Sequence, residues 1–191
     1  MQSQSTSNIF MIRPVSFDYN PQTAASNAFQ RNEEYKDGKR QENALKEFEY
    51  VVNILKSRGV NVLVINDIPN PPKPDAVFPN WISFHEDGTI IIYPMLAENR
   101  RQERREDIIR KIEENFRIKR ILDFSKEENE GKYLESTGSM VLDREKRKAY
   151  ACISQRTSEE VFKMFCIKMG YTPIVFHAYD KKGKPIYHTD I

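Results

Sequence analysis

Two periods organise the apolar positions of this chain: short β-branched runs, and longer stretches at helical spacing. "NIFMIRPVSF" reads as a strand that enters a polar loop rich in Asn and Gln. "ENALKEFEYVVNILKSRGV" then places Leu45, Phe48, Val52 and Leu55 at helical spacing, with Gly59 set to end the helix. "NVLVIND" is short, β-branched and apolar, a buried strand, and the prolines of "IPNPPKP" break the pattern. After the break, "DAVFPNWISFHEDGTIIIYPM" puts two apolar runs around a Glu-Asp-Gly turn, a hairpin pattern. "NRRQERREDIIRKIEENF" carries Ile108, Ile109, Ile112 and Phe116 on one helix face, and "IKRILDF" closes as a strand.

The same order then recurs. "YLESTGSMVLDREKRKAYACIS" is two apolar runs around a charged turn. "TSEEVFKMFCIKMG" predicts a helix with a capping box from Thr157 to Glu160, an apolar face of Val161, Phe162, Phe165 and Met169, and Gly170 as terminator. "TPIVFHAYD" is again a strand. The chain is therefore expected to be α/β, built on a hairpin–helix–strand unit whose second copy starts about 60 residues after its first. A less regular first unit is expected at 8–70, the next two at 75–124 and 132–180, and the start of a fourth at 185–191. Units that hide a face only by packing on neighbours leave an open flank without a cap. No polar capping element follows residue 180, so the pattern predicts a single incomplete domain that could bury its flank by self-association.

Composition narrows the classes of function. Lys and Arg number 30 against 28 for Asp and Glu, a net charge of +2 that gives no general attraction to nucleic acid or acidic lipid. In "NRRQERRED" the acids are interleaved and no aromatics are present for stacking, which predicts a solvated helix face. "MQSQSTSNIF" has no basic n-region, and no run approaches the ~20 apolar residues that span a bilayer. Cys152 and Cys166 show neither metal nor redox spacing, so a reduced, cytoplasmic protein is expected. Neither a metal nor a cofactor is expected.

In a repeat fold, functional residues belong at equivalent places where loops converge. The candidates are Asp75 to Trp81, the "LESTGS" stretch, His188 to Asp190, and arginines at two helix starts, Arg100 and Arg156. Together they supply carboxylates, a histidine and planar forks suited to carboxylate recognition.

The ordered motifs "PDAVFPNW", "YPMLAENRRQERRED", "LESTGSMVLDR", "YACISQRT" and "PIYHTD" resemble the guanidino-modifying enzymes of the amidinotransferase and arginine-deiminase superfamily, closest to the citrulline-utilisation hydrolases. The resemblance runs from about Phe10 to the last residue. It implies a pentein fold, a β/α-propeller of five ββαβ units, of which about three would be present here. It also implies covalent chemistry, in which a cysteine thiolate attacks a guanidinium or ureido carbon and a histidine shuttles protons. His188 then matches the catalytic histidine, and Glu135 the glutamate that orients it and holds substrate. Asp75, Phe78, Asn80 and Asp190 match substrate-binding positions, and Arg100 and Arg156 match arginines that clamp the substrate's α-carboxylate. The implied ligand is a small guanidino or ureido amino acid, without nucleic acid or membrane.

The departures from the family pattern bear on function. Phe78-Pro79-Asn80-Trp81 is one Asn shorter than the usual motif, which puts Asn80 in doubt. Ser136 stands where glycine is usual. Nothing matches the late nucleophilic cysteine, since Cys152 falls in a predicted strand and Cys166 on the apolar side of a helix, both core positions. The chain is therefore expected to be the N-terminal part of a C–N hydrolase, truncated before its nucleophile and inactive alone. The alternative is a non-catalytic pentein module that binds a guanidino ligand or a protein partner. A nucleic-acid-binding role has only the versatility of the fold in its favour.

Overall fold

The computed structural model describes residues 3–24, 26–27, 30 and 39–190. Strand β1 (Asn8–Arg13) leads to a one-turn helix α1 (Pro21–Ala24), the long helix α2 (Arg40–Ser57) and strand β2 (Asn61–Asn66). Strands β3 (Ile82–Phe84) and β4 (Thr89–Ile92) precede helices α3 (Glu98–Arg101) and α4 (Glu106–Asn115) and strand β5 (Arg120–Asp123). A 3-10 segment (Ser125–Glu130) and the one-turn helix α5 (Ser136–Ser139) come before β6 (Met140–Asp143), β7 (Lys148–Cys152), α6 (Glu159–Met169) and β8 (Thr172–Phe176). These elements form two compact bodies, one of Ser5–Pro79 with Ala97–Arg105, the other of Asn80–Leu96 with residues 106–190 and residues 3–4.

In the first body β1 and β2 pair in parallel from Asn8↔Asn61 to Arg13↔Asn66. Parallel neighbours need a crossover connection, and α2 lies within it. Its apolar stripe buries Phe48 and Val52 against Met11 and Val62, with Leu55 and Val64 packed around them. The helix ends at Arg58, and Gly59 follows at φ +81°, a left-handed conformation that glycine adopts without strain. The proline-rich loop after β2 is more than a break. The buried ammonium of Lys73 donates to the carbonyls of Ile68 and Pro71 at 2.9 and 2.6 Å, and Asp67 Oδ1 lies 3.3 Å from it and 3.1 Å from Arg105 Nη1.

The second body contains the ββαβ order twice. Its sheets run β3-β4-β5 and β6-β7-β8, each with an antiparallel pair followed by a parallel one. Val161, Phe162, Phe165, Cys166 and Met169 of α6 form the buried stripe expected from their spacing, and they pack with Tyr93, Leu134, Met140, Ala149 and Ala151. Gly170 closes α6 at φ +68°, its N–H donating to Cys166 O.

Four local expectations are corrected. The charged helix is two helices, α3 and α4, and Arg100 and Glu103, expected on a solvated face, are buried and paired with each other. The capping box does not form: Ser158 is the N-cap without a side-chain cap, and the Thr157 hydroxyl donates to Ser139 Oγ instead. "STGS" makes a helical turn before β6 rather than part of an apolar strand. Residues 185–190, expected to open another unit as a strand, form no ladder; an isolated bridge joins Tyr179 and Pro185. Ile191 lies outside the described residues. Among the described residues no helix is long and apolar enough to cross a membrane.

His85 belongs to the interior of the second body. Its Nε2 lies 3.0 Å from Ser83 Oγ, and that hydroxyl lies 2.7 Å from Tyr93 Oη. Burial, and secondarily the charge of Arg144, lowers its pKa from 6.5 to about 4. The unfolded chain therefore takes up this proton first as pH falls. Stability is fully present above pH 6.5 and is lost as pH falls through that value towards 4, by about 3 kcal/mol in total. Urea unfolding from pH 7 to 4 is expected to show this decline, and His85→Gln to flatten it.

Candidate active site

Glu135 is 1% exposed and occupies the N-cap position of α5. A carboxylate at that depth is tolerated when donors surround it. Its Oε1 accepts the backbone N–H of Leu96 at 3.2 Å; its Oε2 lies 3.4 Å from Arg156 Nη1 and 3.0 Å from His188 Nε2. A carboxylate beside a guanidinium is an acceptor, so Nε2 carries the proton in this contact.

Arg156 is 3% exposed. Its guanidinium carbon sits 4.8 Å from the centroid of Tyr187, whose ring lies 4.7 Å from that of His188. A cation over an aromatic face is attracted by the ring quadrupole, so Tyr187 helps hold both side chains. His188 stands on a segment with irregular backbone that is nonetheless pinned. Ile186 N–H donates to Ala178 O at 2.9 Å, Ser154 Oγ to Tyr187 O at 2.7 Å, and Thr189 N–H to Gly138 O at 2.7 Å. Asp190 Oδ1 lies 3.7 Å from His188 Nδ1, within ion-pair reach but beyond a hydrogen bond.

The glycine of "LESTGS" makes room for this ring. A Cβ on Gly138 would fall 2.6 Å from His188 Cε1 and 2.9 Å from Asn80 Nδ2. Asn80 Nδ2 itself lies 3.4 Å from the carbonyl of Glu135. The structure thus brings Asn80, Glu135, Arg156, His188 and Asp190 into one cluster. Ser136, expected as a departure, has φ +42°, a left-handed conformation that glycine takes without strain.

Asp75, Phe78 and Arg100 belong to the first body. Asp75 Oδ2 accepts from Asn20 Nδ2 at 2.7 Å and Thr23 Oγ1 at 3.0 Å, and Asn20 exchanges side-chain amide bonds with Asn99. Arg100 is buried and directs Nε and Nη2 to the two oxygens of Glu103 at 2.8 and 3.1 Å; Nη2 also reaches the carbonyls of Asp75 and Phe78 at 3.2 and 3.3 Å. This guanidinium, expected as a clamp on a ligand carboxylate, makes a two-point pair with the Glu103 carboxylate and braces the Asp75–Phe78 loop. The Phe78 side chain is 64% exposed. Asn20 and Thr23 lie outside every motif, with the Asn-rich loop after β1 the one sequence signal pointing to Asn20, whereas Asn99 and Glu103 fall within "YPMLAENRRQERRED" without a role of their own.

Both cysteines are free and buried, and burial pushes the Cys166 thiol up to about 12. Cys152 Sγ lies 3.7 Å from Ile186 O. Neither has the electropositive, accessible setting that activates a thiolate. Among the described residues no group of three or more His, Cys, Asp or Glu side chains is placed to hold a metal ion.

The chain is a member of the guanidino-modifying superfamily. The chain belongs to the eukaryotic N,N dimethylarginine dimethylhydrolase family, whose profile matches residues 13–191. Its fold is similar to the N-terminal domain of ArgZ bound to product, an arginine dihydrolase from the ornithine–ammonia cycle in cyanobacteria (TM-score 0.69, 16% identity, 96% of this chain and 60% of that one). A dimethylarginine dimethylaminohydrolase adduct with 4-chloro-2-hydroxymethylpyridine is also similar (TM-score 0.63, 17% identity, 95% of this chain and 62% of that one). So is a complex of AgrE with L-arginine (TM-score 0.66, 17% identity, 94% of this chain and 25% of that one). The chain spans about 60% of the length of the ArgZ N-terminal domain. No curated protein sequence matches it.

Two outcomes check these placements. Glu103→Ala leaves the Arg100 guanidinium buried without its carboxylate, and unfolding free energy in urea is expected to fall by about 3 kcal/mol. A thiol reagent is expected to label neither cysteine in the native chain within minutes, and both in guanidinium chloride.

Proposed function

We propose that residues 1–191 carry the acid–base half of a guanidino-group C–N hydrolase centre, and that the contact between His188 and the buried Glu135 carboxylate, 3.0 Å, is its reacting pair. The reading is supported by the family, by the arginine-type ligands named for the similar structures, and by the position of Arg156 against the same carboxylate.

In this reading a thiolate attacks the planar carbon of a guanidinium. His188 delivers a proton to the departing nitrogen, and a neutral amine or ammonia leaves. Water then attacks the resulting thiouronium carbon and His188 takes one of its protons; the thiolate departs with the C–S electron pair as the second water proton passes to solvent or the released amine, leaving a neutral ureido product. Glu135 holds His188 in the orientation these transfers need and stabilises its protonated form. Asp190, Asn80, Phe78 and Asp75 are assigned to substrate binding. Arg156 and Arg100 are assigned to the substrate's α-carboxylate, Arg156 beside its pairing with Glu135 and Arg100 beside its bracing of the Asp75–Phe78 loop.

The thiolate is assigned to neither cysteine of this chain, because both are buried. The same observation favours the second reading, a module that binds a guanidino ligand or a protein partner without turnover of its own. Citrulline-type ureido compounds remain candidate ligands beside arginine and its methylated forms. The site is assigned to a cytoplasmic protein that works without metal or cofactor.

The test is direct. The 191-residue chain is offered L-arginine, Nω-methylated arginine and L-citrulline, with release of ornithine, citrulline, ammonia and methylamines followed. No turnover is expected; turnover at ordinary enzyme rates would refute the assignment of the thiolate outside this chain. Calorimetric titration with the same compounds is expected to show binding weakened at least about tenfold by Glu135→Gln or His188→Ala, the loss of one charge-assisted contact. Binding untouched by either change would remove the pair from the site.

A further inference from the structure

The last residue of "LESTGS" bonds to the backbones of Glu135 and Arg156 and to Thr189, the neighbour of His188. Ser139 is 0% exposed. Its hydroxyl accepts the backbone N–H of Glu135 at 2.7 Å and the hydroxyl of Thr157 at 2.9 Å, and donates to the carbonyl of Arg156 at 2.9 Å. A serine hydroxyl has one proton and two lone pairs, so these three bonds use its full capacity. Its backbone carbonyl accepts the hydroxyl of Thr189 at 2.5 Å, and that oxygen in turn accepts the N–H of Cys152 at 2.9 Å.

The consequence is that Glu135, Arg156 and His188, drawn from three separate stretches of chain, are all indexed to one residue. Glu135 and Arg156 are held through their own backbones. His188 is held through its neighbour Thr189, which also donates its N–H to Gly138, one residue before Ser139. A buried hydroxyl with saturated geometry allows one arrangement of these three strands of chain, because any displacement leaves a polar group unpaired at depth.

We infer that Ser139 is the positioning residue of the centre, acting through the Glu135 and Arg156 backbones and through Thr189, and setting the contact of His188 with Glu135. This rests on the reading of Glu135 and His188 as the reacting pair. The closest alternative, that Ser139 merely fills the interior, makes a different prediction for the His188 ring.

The chain has three histidines, His85, His177 and His188, so the imidazole region of a long-range 1H–15N spectrum of the labelled full chain is sparse enough to read each ring. In the unaltered chain His188 is expected to show Nε2 as the protonated nitrogen. In Ser139→Ala this pattern is expected to collapse to the averaged shifts of an unconstrained imidazole, while His85, held by Ser83, keeps its own. Val161→Ala, a core truncation, is expected to leave the His188 pattern in place. If Ser139→Ala also loses the His85 pattern, the fold has failed and Thr189→Val decides. Val removes the hydroxyl at similar volume, and the His188 pattern should be lost with His85 intact; Thr189→Ser should retain it. A His188 pattern unchanged in a folded Ser139→Ala chain overturns the inference, as does one unchanged in Thr189→Val. Absence of ligand binding would defeat the hydrolase reading while leaving these spectra as they are, so the two fail separately.

Discussion

A carboxylate buried to the depth of Glu135 must have its oxygens occupied, and that requirement dictates much of the second body. An ionised group taken out of water loses several kcal/mol of hydration, which only close donors and an opposite charge can replace. Here the donors come from far apart in sequence: the Leu96 N–H after β4, Arg156 before α6, and His188 after β8. All three stand on irregular connecting stretches that leave the ladders of the two ββαβ sheets, Leu96 after β4, Arg156 after β7 and His188 after β8.

Two arginine–glutamate pairs show how one interaction serves different ends. Arg100 and Glu103 are three residues apart and meet fork to fork, which closes both valences on each other and on nearby carbonyls. Arg156 Nη1 lies 3.4 Å from Glu135 Oε2, and that carboxylate oxygen is shared with a histidine. The first pair is complete in itself; the second has a member that can exchange a proton. The histidines differ in the same way. His85 faces a hydroxyl and its burial keeps it neutral over most of the pH range, whereas His188 faces a carboxylate.

Much of the fold was legible in residue order. Short β-branched runs, the stripe on α6 and the glycines after α2 and α6 are local signals, and they became the strands, core face and helix ends expected. What escaped was decided by partners distant in sequence. Nothing in "NRRQERRED" reveals that Arg100 and Glu103 are buried and paired, or that the helix is interrupted after Arg101. Thr157 has the spacing of a capping residue but finds Ser139 instead. Lys73 reads as a surface lysine and proves to be buried among carbonyls. Of the candidate cluster, the motifs name Glu135, Arg156 and His188, which the structure brings into contact, and their order carries information that spacing alone does not. Asn20 and Thr23, which hold Asp75, lie in a polar loop with no periodicity to mark them.

The bonds from Arg100 to the carbonyls of Asp75 and Phe78 act as a noncovalent staple across the chain that leaves the first body at Pro79 and re-enters it at Ala97. Everything between is an excursion with fixed ends. The entropy of such a loop grows only as the logarithm of its length, so extra residues at the Glu86–Gly88 turn would cost little. The stretch between Phe78 and the fully buried Trp81 is another matter, for it has two residues, Pro79 and Asn80. That is where this sequence is one asparagine shorter than the pattern it otherwise resembles. Against that pattern, the shorter motif is a change in the length of the connection as well as in its chemistry.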